Sequence, residues 1–496
     1  MCPPLPIYSD VSTSGLIWPR PDTWDGALRL FPLVDPATER PWAQLPVAQP
    51  SDISAAVAVA RRFADQEWAD PSPEKRLKIL DRLITLVAER QEEFARRISC
   101  EMGAPIDFAR DKQVRAALDH LQAIRAAASV EQDQTPDPDN PDHRVRYEPL
   151  GVAALITPWN WPLNQVVLKV GGALMAGCAM VLKPSEYSST STLLFAECMA
   201  LAGADDGRFQ LVLGDGDVGQ ALCTHPDVDV ISFTGSTRVG AIIAGVAAPQ
   251  FKRLNLELGG KSANILMADC NLPLAVEQGV AHAFRNTGQS CNAAARMLVE
   301  REIYDRVCTL AAGYADQTSV DLPTLDGPHL GAIVNEQQYK RVQGLIQQAI
   351  DQGARVIAGG VGRSDDLSEG YFAKPTVLAD VTDEMDIFHT EVFGPVLTIT
   401  PFDHEAQAIA LANDTSYGLA GYVQTADPVK ADRIACALQV GLVQVNGASR
   451  APGAPFGGRR ASGQGREAGL WSIRAFQDVK SVSGAAAMQT MRKGRR

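Results

Sequence analysis

The sequence predicts an α/β protein built from a parallel, Rossmann-like sheet unit and a second α/β unit behind it in the chain. Three observations predict it. Short apolar runs of strand length occur at Gly151–Ile156, Met180–Leu182, Phe209–Leu213 and Val228–Phe233. Helix-compatible stretches separate them, near 163–177, 188–203, 217–224 and 237–248. Buried strands spaced by helices imply right-handed crossovers between parallel neighbours. After Gly259 the pattern restarts with Ala263–Met267, a helix from Pro273 and a strand at Met297–Glu300. Further strands are expected at Thr376–Leu378, Val396–Thr400 and Leu442–Val445.

Composition agrees with this class. The chain has 496 residues, enough for about three domains, or two large ones with an accessory segment, at the usual domain size. Hydrophobic residues make up 46% and charged residues 21%, which excludes disordered and fibrous chains. The net charge of −12 repels phosphate backbones and argues against nucleic-acid partners. Nine scattered cysteines, without a CxxC pair or a Cys/His ligand spacing, read as reduced thiols and offer no metal site. The first residues lack the basic start and apolar stretch of a signal peptide. The most apolar window, Leu163–Leu182, is interrupted by Asn164 and Lys169 and flanked by Pro162 and Pro184, so it reads as a buried helix–turn–strand rather than a membrane span. A cytoplasmic location is expected.

The first 50 residues are rich in Pro and Trp and predict irregular structure with short strands. A helix begins near Ser51. A second has Ser72 as N-cap and Pro73 at its first position, with Leu77, Leu80, Ile84 and Val87 along one face and Gly103 as its stop. Glu131–His143 holds four Asp and three Pro residues and has no helical period; it reads as a surface excursion continuing as a hairpin through Arg144–Tyr147.

Chemistry-bearing residues gather in a few segments. Gly214-Asp-Gly216-Asp-Val-Gly219 fits GxGxxG after a strand, a weak dinucleotide signal with no acidic partner about 20 residues on. Gly235-Ser236-Thr237-Arg-Val-Gly240 follows a strand and opens a helix, so its free N–H groups suit an anion better. Glu257 follows an apolar run, where desolvation would raise its pKa toward that of a useful base. Asn160 sits at a strand-to-helix turn, and Cys291 lies in Asn286-Thr-Gly-Gln-Ser-Cys291.

Together these segments resemble the aldehyde dehydrogenase superfamily. The matching stretches are TPWNWP at 157–162, KPSE at 183–186, FTGSTRVG at 233–240, LELGGKSAN at 256–264, FRNTGQSC at 284–291, EVFGPV at 391–396 and PFGGRRASGQGRE at 455–467. The resemblance implies an NAD-binding domain over 1–130 and 150–258, and a catalytic domain over 259–447. It further implies a β oligomerisation projection from 131–149 and 475–486, with 448–474 returning to line the substrate entrance. It makes Cys291 the nucleophile and Glu257 the base. The side-chain amide of Asn160 and the backbone N–H of Cys291 would form the oxyanion hole, and Lys169 and Glu467 would relay the proton outward.

The same resemblance assigns Lys183 and Glu186 to the adenosine ribose, Ser236 to the pyrophosphate and Glu391 to the nicotinamide ribose, with Phe393 beside the nicotinamide and Trp159 in the same cofactor cleft. Thr157, Gly216, Gly219, Gly235, Gly240 and Leu258 complete the expected cofactor cleft. Glu186 favours NAD, because a carboxylate accepts the 2′-hydroxyl and repels a 2′-phosphate, with NADP as the alternative. A homodimer or homotetramer is implied. The expected reaction is oxidation of an aldehyde to an acid through a Cys291 thiohemiacetal and thioester. A CoA-acylating enzyme, which typically lacks a glutamate where Glu257 stands, is the rival.

Three departures from the family pattern stand out: a turn at Gly214–Gly219 one residue short, Arg459-Arg460 in place of an aromatic–Lys pair, and a loop at Asn446–Pro455 made mostly of small residues. For the substrate, Arg285 lies six residues before Cys291, the offset at which succinic semialdehyde dehydrogenases carry a carboxylate-binding arginine. Leu168 stands where those enzymes place a second one. A bulkier carboxylate-bearing semialdehyde is therefore expected, with Trp161, Arg285, Arg450 and Phe456 around it; a plain aliphatic or aromatic aldehyde is the alternative.

Overall fold

The computed structural model describes residues 16–19, 29–69, 72–130, 134–137, 140–204 and 207–484. The N-terminal apolar runs form one sheet in the order Ile17–Trp18, Phe209–Val212, Ala179–Pro184, Val152–Thr157, Val230–Thr234, Arg253–Glu257, all parallel, with Gly463–Gln464 added antiparallel at the end. Every residue of Val152–Thr157 and Ala179–Pro184 is buried, so these strands are apolar throughout instead of alternating. Helices on both faces cover the sheet. Pro162–Ala176 packs against Arg115–Val130 on one face, and Pro50–Ala69 lies on the other.

The second sheet has the order Arg355–Ala358, Thr376–Ala379, Val396–Phe402, Arg296–Glu300, Ala263–Leu266, Ala420–Gln424, Leu442–Val445, parallel except for its first strand. The two-unit α/β architecture expected from the sequence is thus present. A separate antiparallel sheet joins Gln134–Asp137, Asn140–Pro149 and Gln477–Ser483, the last paired from Gln477↔Pro149 to Ser483↔His143. The acidic excursion is therefore a hairpin that recruits a third strand from the C-terminal region.

Some local expectations change. The helix expected to run from Pro73 to Gly103 is two helices, Pro73–Glu89 and Gln91–Met102, broken at Arg90. No Gly or Pro marks the break; Arg90 leaves helical geometry while its guanidinium pairs with Glu93 and Glu197. Gly103 does end the second helix, in the left-handed conformation at φ 78°. Ser72 occupies the N-cap position without capping, because its hydroxyl bonds the Glu67 carboxylate. The strands Ala420–Gln424 and Arg355–Ala358 carry no strong pattern and were not foreseen. Seven described cysteines are free thiols, whereas Cys100 is disulfide-bonded, against the expectation of reduced thiols throughout. No helix among the described residues is long and apolar enough to cross a membrane.

Candidate active site

The first sheet changes direction at Val152–Thr157: the next two strands lie on one side of it and the following two on the other. Ligands of open parallel sheets bind beyond the carboxyl ends of the strands at such a reversal. Thr157 and Thr234 end the two strands there, and both hydroxyls are buried without a hydrogen-bond partner among the described residues. Lys183, near the end of the adjacent strand, lies 3.7 Å from the Glu186 carboxylate. Gly219 is close to it, since a Cβ at that position would stand 3.8 Å from Lys183 Cδ. Gly216 opens the helix Gly216–Thr224, and Asp215 before it is ion-paired to Arg29.

Gly235 admits no side chain, because a Cβ would come within 2.4 Å of the Phe233 ring. Ser236 caps the helix Thr237–Ala247 by accepting from Val239 N, and Leu258 packs against that helix at Gly240. Across the crevice, Glu391 accepts a hydrogen bond from Gly260 N at 2.9 Å. Burial pushes its carboxyl up to about 7, against the opposing pull of the Gly260 N–H and Lys261. Trp159 meets Phe393 edge to face, with ring centroids 5.4 Å apart.

The segment 284–291 is pinned in an unusual backbone path. Asn286 and Thr287 are buried and left-handed, at φ 58° and 55°. Non-glycine residues there cost on the order of 1–3 kcal/mol each and persist only where surrounding contacts hold them. Gly288 follows at φ 69°, so close to Gly394 O that a Cβ would lie 1.9 Å from it. Gln289 Oε1 accepts from Val334 N at 3.0 Å, and Trp161 Nε1 donates to Ser290 Oγ at 3.0 Å. Asn160 Nδ2 donates to Gln289 O at 2.9 Å, which sets its amide beside the cysteine loop. The Cys291 thiol is pushed up to about 12, first by burial and then by the charges of Glu391 and Glu257; the backbone N–H groups of Asn292 and Cys291 act the other way.

Glu257 ends the strand Arg253–Glu257 and is 3% exposed. Neither carboxylate oxygen has a hydrogen-bond partner among the described residues. Its pKa is raised well above the usual carboxylate range by burial and by Glu467, with Lys169 opposing. Lys169 and Glu467 are themselves buried and paired at 2.6 Å, and Glu467 also accepts from Asn255 Nδ2 at 3.1 Å.

Cys291 lies on the wall of a cavity of about 570 Å³. Trp161, Arg285, Arg450 and Phe456, the four residues expected near the substrate, line the same cavity. Arg285 stands 5.4 Å from the Trp161 ring centroid and makes no ion pair among the described residues. Arg450 Nη1 donates to Ala454 O at 2.6 Å, and its guanidinium lies 5.2 Å from the Phe456 ring, also without a carboxylate partner there. Asp119, on the same wall, is engaged by Arg115. Sequence reasoning missed His120 and Tyr422 on this wall. His120 Nδ1 lies 3.0 Å from Pro452 O and its Nε2 lies 3.4 Å from Arg450 Nη2; burial and Arg450 push it down to about 4, so the ring is neutral at pH 7. A histidine on the buried stripe of an amphipathic helix, between Leu118 and Leu121, was the available signal. Tyr422, whose hydroxyl donates to Asn292 O at 2.7 Å, had none, since its strand was unmarked.

Comparison with known proteins places the chain in a family. The model of the aldehyde dehydrogenase family matches residues 24–482. A 3-succinoylsemialdehyde-pyridine dehydrogenase from a Pseudomonas species is 43% identical over 469 residues, covering 94% of this chain and 97% of that protein. The crystal structure of an aldehyde dehydrogenase from Bartonella henselae superposes with a TM-score of 0.90 at 44% identity, covering 92% and 96% of the two chains. A mutant of aldehyde dehydrogenase C from Pseudomonas syringae, in complex with NAD+ and octanal, gives a TM-score of 0.90 at 43% identity, covering 92% and 94%. By its fold, its motifs and these likenesses, the chain belongs to the aldehyde dehydrogenase family.

Proposed function

We propose that this protein oxidises an aldehyde to the carboxylic acid with NAD, through covalent attachment to Cys291. The observation that carries the reading is the placement of Cys291: it opens onto the cavity and feels the charges of two buried carboxylates, Glu257 and Glu391. The residues of the sheet crevice fit the cofactor, since the orphaned hydroxyls of Thr157 and Thr234 await a polar ligand where the strand order reverses. Lys183 and Glu186 would hold the adenosine ribose, Ser236 the pyrophosphate and Glu391 the nicotinamide ribose. Trp159 and Phe393 would wall the nicotinamide. Bound NAD supplies the acceptor for the hydride.

A thiol held near 12 rests protonated, so attack requires its proton to leave for a nearby base. The sulfur adds to the carbonyl carbon, and the oxyanion meets Asn160 Nδ2 and the Cys291 N–H. Loss of hydride leaves a thioester. Glu257, with a raised pKa and no hydrogen-bond partner, takes a proton from water, whose hydroxide releases the acid and regenerates the thiolate. The pair Lys169–Glu467 behind it gives that proton a route onward. The presence of Glu257 favours hydrolysis over transfer to CoA. In this reading residues 1–130 and 150–258 bind cofactor, 259–447 carry the nucleophile, and the antiparallel sheet joins protomers of a cytoplasmic homo-oligomer.

For the substrate, two guanidiniums without carboxylate partners among the described residues favour an aldehyde with a distant carboxylate, bound by Arg285 and Arg450. The relative named for a semialdehyde substrate supports a semialdehyde, and the octanal complex of the other relative favours a second reading, a plain aliphatic aldehyde. NAD reduction with matched aldehydes, with and without a terminal carboxylate, separates them in wild type and Arg285→Leu. Loss of kcat/KM by roughly 10–100-fold for the acid alone is expected from one charge-assisted contact. An equal effect on both aldehydes, or none, would remove Arg285 from substrate binding.

A further inference from the structure

We infer that Gln113 is a positioning residue for the Asn160 amide, acting through Asn286; this rests on the oxyanion role proposed for Asn160. The chain from Ile106 to Val130 is helical, but Ala109–Val114 is a π-helical turn within it. Such turns insert a residue into a helix and are frequent at functional sites. Here the turn carries Gln113, 1% exposed, whose side chain reaches the cysteine loop.

The hydrogen bonds run in one direction. Gln113 Nε2 faces three acceptors: Asn286 Oδ1 at 3.0 Å, Asn160 O at 3.5 Å and Met102 Sδ at 3.3 Å. Those acceptors fix which end of the Gln113 amide is nitrogen. With its Oδ1 taken, Asn286 can offer only Nδ2 on its other side. It donates to Asn160 O at 2.8 Å and to Gln289 O at 3.2 Å. Gln289 O is also the acceptor for Asn160 Nδ2 at 2.9 Å. One Asn160 amide hydrogen is thereby committed, and the second is left for a developing oxyanion.

Without the donor on Gln113, Asn286 Oδ1 is left buried without its hydrogen bond, and only the two carbonyls on the other side hold the amide. An amide that turns to relieve that oxygen weakens its donor bonds to the carbonyls of Asn160 and Gln289. Both anchors of the Asn160 amide would then shift. All four amides are buried, with exposures of 0 to 4%, so water cannot restore the pattern. Asn286 is also one of the two buried left-handed residues before the cysteine, so its side-chain bonds help to hold that backbone.

The test is a double-mutant cycle read by the single-turnover rate of NADH formation. Gln113→Met keeps the length and removes the donor; Gln113→Leu is the second variant, and thermal melting selects those that fold. In the wild-type background the rate should fall about 10–100-fold, somewhat less than the 10²–10³ typical of deleting an oxyanion donor outright. The Kd for NAD should stay within about twofold. In the Asn160→Ala background the same substitutions should change the rate by less than about twofold, because groups acting through one another are not additive. Equal fold losses in both backgrounds, or no loss in the first, would overturn the inference while leaving the Asn160 role in place. An Asn160→Ala enzyme of undiminished rate would instead overturn that role, and the inference with it.

Discussion

Lys169 Nζ lies 2.6 Å from Glu467 Oε1 in a pair that is almost wholly buried, and its positive charge opposes the effect of Glu467 on Glu257. Replacing Lys169 by Met removes the cation and leaves two buried carboxylates facing each other. Glu257 should then hold its proton to higher pH, and the acid limb of the steady-state kcat profile should move to the alkaline side. The melting temperature should fall as well, since breaking a buried pair from one side costs about 3–5 kcal/mol. An unmoved pH profile in a folded variant would separate this pair from the base.

Glu257→Gln should divide the reaction into its halves. Stopped-flow absorbance should show a burst of NADH up to one equivalent per site, followed by turnover slowed about 10²–10⁴-fold. Normal steady-state turnover would take the role of base away from Glu257.

Cofactor choice should turn on Glu186. Glu186→Ser removes the repulsion toward a 2′-phosphate and weakens the ribose contact, so the ratio of kcat/KM values should shift toward NADP. A wild-type enzyme that already prefers NADP would contradict this.

Glu391 should leave a mark on stability. Its carboxyl is held near 7 in the folded protein, above its ordinary value of 4.5, so the folded state binds the proton more tightly than the unfolded one. That preference is present in full below about pH 4.5 and is lost as pH rises through 7, on the order of 3 kcal/mol. Glu391→Gln should therefore lose less melting temperature than wild type between pH 5 and pH 8. Parallel curves would mean the carboxyl is not held protonated.

Four central strands of the first sheet were legible in the sequence because their pattern is local, whereas Ile17–Trp18, Arg253–Glu257 and Gly463–Gln464 join it through long-range pairing. Val152–Thr157 and Ala179–Pro184 are buried on both faces and so read as continuous apolar runs. Arg285 and Cys291 line one cavity, as the resemblance of their shared segment to that of succinic semialdehyde dehydrogenases implied. Gln113 could not be anticipated, because its partner Asn286 is 173 residues away and the π-helical turn that aims it has no composition of its own. The break at Arg90 was likewise invisible: no Gly or Pro marks it, and one partner of the Arg90 guanidinium, Glu197, stands on another helix. His120 meets Arg450 only because the loop at 446–456 folds back over the helix Arg115–Val130.

The central claim is a covalent acyl intermediate on Cys291, and intact mass measurement tests it most directly. Glu257→Gln incubated with NAD and a substrate aldehyde, then quenched in acid, should gain the mass of one acyl group, and peptide mapping should place it on Cys291. NADH formation in that variant with no adduct, or with the adduct on another residue, would contradict the account.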